Sequence, residues 1–144
     1  MRRAVIGIAL AALVTVVGGG SAGAQTLECT ITGTPAADRL MGTAGADVIC
    51  GLGGNDRIFA GAGNDVVVGG RGADRIVGGR GDDTLRGGRG ADIVTGGRDA
   101  DTLFGGRGPD LLAARDGVES NDTADGGRGM DRCRADTGDT VVSC

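Results

Sequence analysis

From Gly33 to Ala113 one polarity pattern repeats every nine residues without slipping. Glycine and other small residues fill most of the first five places, an aspartate holds the sixth and an aliphatic residue the eighth. Nine consecutive nonapeptides obey it: GTPAADRLM, GTAGADVIC, GLGGNDRIF, AGAGNDVVV, GGRGADRIV, GGRGDDTLR, GGRGADIVT, GGRDADTLF and GGRGPDLLA. Triplets such as Arg75-Ile76-Val77, Ile93-Val94-Thr95 and Thr102-Leu103-Phe104 predict short strands, with the central side chain inward and its neighbours outward. Glycines at the first, second and fourth places predict turns that visit positive φ and leave backbone carbonyls free to face an ion. Turn and strand therefore alternate every nine residues, the mark of a stacked repeat architecture. After a three-residue insertion, Ala114 to Asp116, the frame resumes as GVESNDTAD and GGRGMDRCR, and ADTGDTVVSC closes the chain.

Composition removes the ordinary alternatives. The chain has 144 residues with 32 glycines, two phenylalanines and no tyrosine or tryptophan, so a conventional packed core is not expected. Arg2 and Arg3, the apolar stretch Ala4 to Val17 and the small-residue site Ala22-Gly23-Ala24 read as a secretory signal over residues 1–24, cleaved after Ala24. The apolar run is short of the roughly 20 residues that span a bilayer, so no stable membrane insertion is expected after cleavage. The wider twin-arginine consensus is missing, and Glu28 before Cys29 disfavours a lipoprotein.

The whole chain carries 15 basic and 19 acidic residues, net −4. Without Arg2 and Arg3 that becomes 13 against 19, or −6, which gives little reason for nucleic-acid binding through the overall field. Export makes Cys29, Cys50, Cys133 and Cys144 disulfide candidates. Of three possible pairings, two cysteines near each end favour Cys29 with Cys50 and Cys133 with Cys144. A zinc site is disfavoured by the absence of histidine and of CxxC spacing.

The phrase GGxGxDxUx, with U aliphatic, resembles the repeats-in-toxin family of hemolysin-type calcium-binding repeats, and here it runs over residues 33–113 without a gap. The resemblance implies an all-β parallel β-roll, a β-solenoid in which the first six residues of each repeat form a calcium-binding turn and the last three a strand. Two repeats would complete one coil, and the aspartate of one repeat would lie near the turn two repeats later. Asp65, Asp83 and Asp101 would line one edge, with Asp47 preceding them, and Asp56, Asp74, Asp92 and Asp110 the other. Such ladders of like charge need a cation, and calcium accepts 6 to 8 oxygens in a tolerant geometry that suits carboxylates mixed with carbonyls. Nine repeats contain seven pairs two apart, so about seven calcium ions is the upper expectation. Pro35 and Ala36 put Asp38 in doubt, and Ala60, Asp99 and Pro109 depart from the consensus elsewhere. The narrow aliphatic core is not expected to order so many glycines unaided, which makes calcium binding part of the folding reaction.

The expected organisation is a signal at 1–24, an N-terminal cap at 25–32, the nine repeats at 33–113, and two degenerate repeats with a disulfide-tied cap at 114–144. The expected function is a secreted, free-standing calcium-binding repeat protein that is not an enzyme. Without histidine no Ser-His-Asp or Cys-His arrangement can form, and every beat aspartate already has a repeat role. The alternative is an extracellular adhesin or matrix-associated module. Its arginine rows, Arg71, Arg80, Arg89, Arg98 and Arg107, would then grip an anionic polysaccharide or cell surface, with calcium as scaffold. Charge compensation of the aspartates is the plainer reading of those rows, and surface packing the plainer reading of Phe59 and Phe104. A flexible glycine-rich spacer would not hold aspartate and aliphatic places in phase, and collagen needs glycine at every third residue.

Overall fold

The computed structural model describes residues 13–15, 26–116 and 121–144. The expected signal and its cleavage site lie outside these, apart from β1 (Leu13–Thr15), which pairs antiparallel with β2 (Thr26–Glu28). None of the described residues is helical.

Thirteen further strands wind a parallel solenoid. One wall is a seven-stranded sheet containing β3 (Ile31–Thr32), β5 (Val48–Gly53), β7 (Val66–Arg71), β9 (Thr84–Arg89), β11 (Thr102–Arg107), β13 (Thr123–Arg128) and β15 (Thr140–Val142). The facing wall has six strands: β4 (Arg39–Met41), β6 (Arg57–Ala62), β8 (Arg75–Arg80), β10 (Ile93–Arg98), β12 (Leu111–Ala114) and β14 (Arg132–Ala135). Partners in each sheet lie two repeats apart, as in Ile58↔Ile76 and Val67↔Leu85, so two repeats do make one coil.

The strands are longer than the sequence pattern suggests. A full strand takes the last three residues of one repeat and the first three of the next, leaving only three residues for the turn. The pleat then puts the sixth, eighth and following first positions on the inside, which the alternating burial of Asp74, Ile76 and Gly78 shows. The core is accordingly a single file of fully buried aliphatic side chains, from Ile49 through Ile58, Val67, Ile76, Leu85, Val94 and Leu103 to Leu112.

Positive φ occurs at the second and fourth glycines, for example +123° at Gly88 and +139° at Gly90, whereas first-position glycines lack it, contrary to the sequence expectation. The first place excludes side chains for a different reason: its Cβ would enter the space beside the aspartate. Where glycine is replaced at these bends, Leu52 and Asp99 adopt φ of 75° and 78°.

Both expected disulfides are formed, Cys29–Cys50 with a Cα separation of 6.0 Å and Cys133–Cys144 with 5.8 Å. The tail, which the nonapeptide frame leaves unassigned, adds half a coil. β15 pairs with β13 through Val141↔Ala124, and Asp139, one residue short of the usual spacing, takes the aspartate's place.

Candidate metal centre

The beat aspartates form two hydrogen-bonded ladders inside the roll. On one, the amides of Asp38, Asp56, Asp74, Asp92 and Asp110 donate to Oδ1 of Asp56, Asp74, Asp92, Asp110 and Asp131, each at 2.8 Å. On the other, the amides of Asp47, Asp65, Asp83 and Asp101 donate to Oδ1 of Asp65, Asp83, Asp101 and Asp122 at 2.8 to 3.0 Å. Each carboxylate thus reaches back through Oδ1 to the turn two repeats earlier, a contact the sequence reading did not include, while its Oδ2 stays on the side of the repeat two later, as expected. The step of 18 residues widens to 21 where the ladders cross the insertion, so both stay in register.

Only one carboxylate oxygen is used this way. Oδ2 of Asp56, Asp65, Asp74, Asp83, Asp92, Asp101, Asp110, Asp122 and Asp131 is buried without a hydrogen-bond partner. Asp56, Asp65, Asp83, Asp92 and Asp101 are each only 1% exposed. A charged oxygen in that position needs a proton or a cation.

The surroundings of Oδ2 fit a hard cation. A methyl group placed on Gly69 would lie 2.5 Å from Asp74 Oδ2 and 2.7 Å from the Gly87 carbonyl oxygen. On Gly105 it would lie 2.5 Å from Asp110 Oδ2 and 2.6 Å from the Gly126 carbonyl oxygen. Carboxylate and carbonyl oxygens therefore face one small space beside first-position glycines such as Gly51, Gly69, Gly78 and Gly105, acceptor against acceptor. At the fourth repeat Ala60 stands in that place. No three acidic or cysteine side chains gather at one point among the described residues, so an ion here draws on few carboxylates and must complete its shell from carbonyls. That donor set suits calcium and offers nothing to a soft transition metal.

Electrostatics agrees. Burial raises the carboxyls of Asp92 and Asp101 to about 7 and that of Asp83 to about 6, against the opposing pull of their amide hydrogen bonds. Neighbouring carboxylates on the same ladder add to the rise. Asp56, Asp65, Asp74, Asp110 and Asp122 are raised too, again chiefly by burial. The ladders hold negative charge where water cannot solvate it.

Asp47 belongs to the expected set but differs from the rest. Thr43 occupies the second place of its repeat, and its amide and hydroxyl donate to Asp47 Oδ2 at 2.7 and 2.9 Å. The amide first, then the hydroxyl, hold this carboxyl below its ordinary value. The Thr34 amide and hydroxyl likewise donate to Asp38 Oδ2, at 2.6 and 2.8 Å. These threonines went unread as partners of the aspartate four residues on, although GT in place of GG was the available signal. Asp122 and Asp131, at the sixth places of the two repeats after the insertion, lie outside the expected set, and the structure gives their carboxylates the same contacts as those of Asp101 and Asp110.

The arginine rows lie on the outside. Arg71, Arg89, Arg107 and Arg128 are in register across β7, β9, β11 and β13, and Arg80 pairs with Arg98 across β8 and β10. Among the described residues the ion pair formed is Arg115 with Asp136, at 3.8 Å, so these rows do not pair with the aspartates. Phe59 and Phe104 are half-buried on the outer faces, with Arg39 and Arg86 stacked over their rings at 5.5 and 5.4 Å.

A parallel solenoid with buried aspartate ladders beside glycine turns defines a class, the calcium-binding β-roll. The family profile of the RTX calcium-binding nonapeptide repeat matches residues 32–67, 51–85, 68–103, 77–112 and 95–131, more than half of the chain. The chain belongs to the RTX calcium-binding repeat family, and its stacked aspartate turns are calcium-binding turns. Among solved structures it is similar to the AlgE6R3 subunit of the Azotobacter vinelandii mannuronan C5-epimerase. That match has 28% identity over 67% of this chain and 50% of the other, with a TM-score of 0.38, so the chain spans about half the length of that neighbour. No curated protein matches the sequence significantly.

Proposed function

We propose that this protein is a secreted, non-enzymatic scaffold whose roll completes its folding when several calcium ions enter the turns outside the cell. The observation that carries the reading is the file of buried, unpartnered Oδ2 atoms. They oppose folding while charged and cease to do so once a cation sits beside them. Ion binding to the folded form alone is then folding free energy. Two disulfides accord with an oxidising compartment, and extracellular calcium is abundant enough for weak sites of this kind. Asp56, Asp65, Asp74, Asp83, Asp92, Asp101 and Asp110 are the proposed ligands, together with turn carbonyls. Asp122 and Asp131 join them on geometry, and Asp47 serves as a cap.

The test is far-UV circular dichroism of the oxidised chain, first chelated and then titrated with calcium or magnesium. A cooperative gain of β signal with calcium alone is expected. A spectrum already β-rich in chelator and unchanged by calcium would overturn the reading.

A further inference from the structure

The outer face of the seven-stranded sheet carries a groove of about 580 Å³ running across the strands, along the axis of the roll. Its floor is made of second-position glycines, Gly70, Gly88, Gly106 and Gly127, which have no side chain to fill it. One wall is the register of Arg71, Arg89, Arg107 and Arg128, all exposed. The other is the ninth-position row, Val68, Arg86 and Phe104, closed at its far end by Asp125.

Three features of this groove favour an outside ligand over an internal partner. The aspartates that the arginines would compensate are inside the roll, and none of the wall arginines pairs with an acid among the described residues. The guanidinium row repeats at the strand spacing of about 4.8 Å, a linear array of charge rather than a cluster. A globular anion would meet one or two of its members, whereas an extended acidic polymer can engage arginines along the whole row. Phe104 lies under Arg86, whose guanidinium covers its ring at 5.4 Å, so this wall of the groove presents a further cation. On the facing sheet Arg80 and Arg98 align with Ala62, and Arg39, Arg57 and Arg75 form a shorter row of three at the seventh places, outside any such groove.

We infer that this groove binds an extended acidic polysaccharide, laid along the roll axis between the Arg71–Arg128 row and Arg86, with its carboxylate or sulfate groups on the arginines. The inference rests on the proposed calcium-folded state, because the row exists only when the coils are stacked. The strand spacing is close to the length of one sugar in an extended pyranose chain, and successive sugars face alternate ways, so the acidic groups on one side of the chain fall in step with every second arginine. Guanidinium groups suit both kinds of acidic group through paired donors.

The experiment measures binding of a fluorescent oligogalacturonate to the full oxidised chain at fixed free calcium, with circular dichroism on the same samples. Variant Arg89→Gln/Arg107→Gln neutralises the centre of the row at exposed, unpaired positions. Arg80→Gln/Arg98→Gln makes the same charge change on the other sheet. The groove variant is expected to weaken binding by about tenfold or more and to flatten its salt dependence, with the control within about twofold of wild type. Equal losses in both variants, or tighter binding of a single-stranded DNA of matched charge, would overturn the groove as a polysaccharide site. So would absence of binding by a chain whose β signal is intact. Absence of the β signal itself would overturn the calcium-folded scaffold and the groove with it.

Discussion

Asp92→Asn separates the two roles that the ladder gives one carboxylate. The substitution keeps the side-chain shape and Oδ1, which accepts the Asp74 amide at 2.8 Å, and replaces the unpartnered Oδ2 with an uncharged group. The wild-type carboxyl is raised from 3.8 to about 7. At about 1.36 kcal/mol per unit that rise corresponds to ~4 kcal/mol, which solvent screening reduces to ~1–2 kcal/mol of folding penalty near pH 7.5. The sign follows from proton linkage: a carboxyl raised in the folded state favours folding at low pH, and that contribution is lost as pH rises through about 7. In chelator at pH 7.5 the variant should therefore fold more readily than wild type, read as a lower midpoint in a trimethylamine oxide titration followed by circular dichroism. Near pH 4 the two should converge, because the wild-type side chain is then protonated in the roll. In saturating calcium the order should invert in urea melts, since losing a site held at a hundred times its Kd removes about 2.7 kcal/mol. If Asp92→Asn destabilises the chelated chain as it does the loaded one, Oδ2 is not a frustrated charge and the electrostatic account fails.

Two further substitutions probe the backbone and the ends. Gly88→Ala places a methyl group against the Gly70 carbonyl at a φ of +123°, so it should raise the calcium concentration needed for the β signal several-fold, whereas Arg89→Gln beside it should not. Replacing Cys133 and Cys144 together by serine should cost about 3 kcal/mol in the chain-entropy account. The loss should appear as hydrogen-exchange protection missing from β13 to β15 but retained in β7 and β9.

The nonapeptide phase made most of this architecture legible. An aspartate and an aliphatic residue at fixed places, two apart, point to the same side of a strand, and the period then fixes which residues stack. What could not be read was the coil's path. Because positive φ at the second glycine bends the strand without ending it, Gly-Gly-Arg stays in the sheet and the turn shrinks to three residues. Only that path turns the aspartate inward and aims its Oδ1 back to an earlier amide. The tail escaped the frame because Asp139 arrives one residue early, and the structure absorbs the deletion at the final turn. The threonines were missed because their hydroxyls act locally, four residues from their aspartates, and leave no periodic trace.

Those threonines give the roll a polarity. Asp38 and Asp47 are satisfied from within the protein, so the first coil carries no unpartnered Oδ2, and Cys29–Cys50 ties the same coil covalently. From Asp56 to Asp131 each ladder carboxylate has a frustrated oxygen, and burial raises the mid-roll carboxyls of Asp92 and Asp101 to about 7. Because Asp92 is repelled by both Asp110 and Asp74, neutralising either neighbour lowers the cost of keeping Asp92 charged. The amide hydrogen bonds make each carboxylate's position depend on the turn before it. In a solenoid whose coils contact only their neighbours, such coupling makes ion loading cooperative and lets order spread from a coil that needs no ion. Under the proposed calcium-coupled folding, the N-terminal coil is that template, and the buried charge from Asp56 to Asp131 is what the ions must neutralise for the rest of the roll to follow.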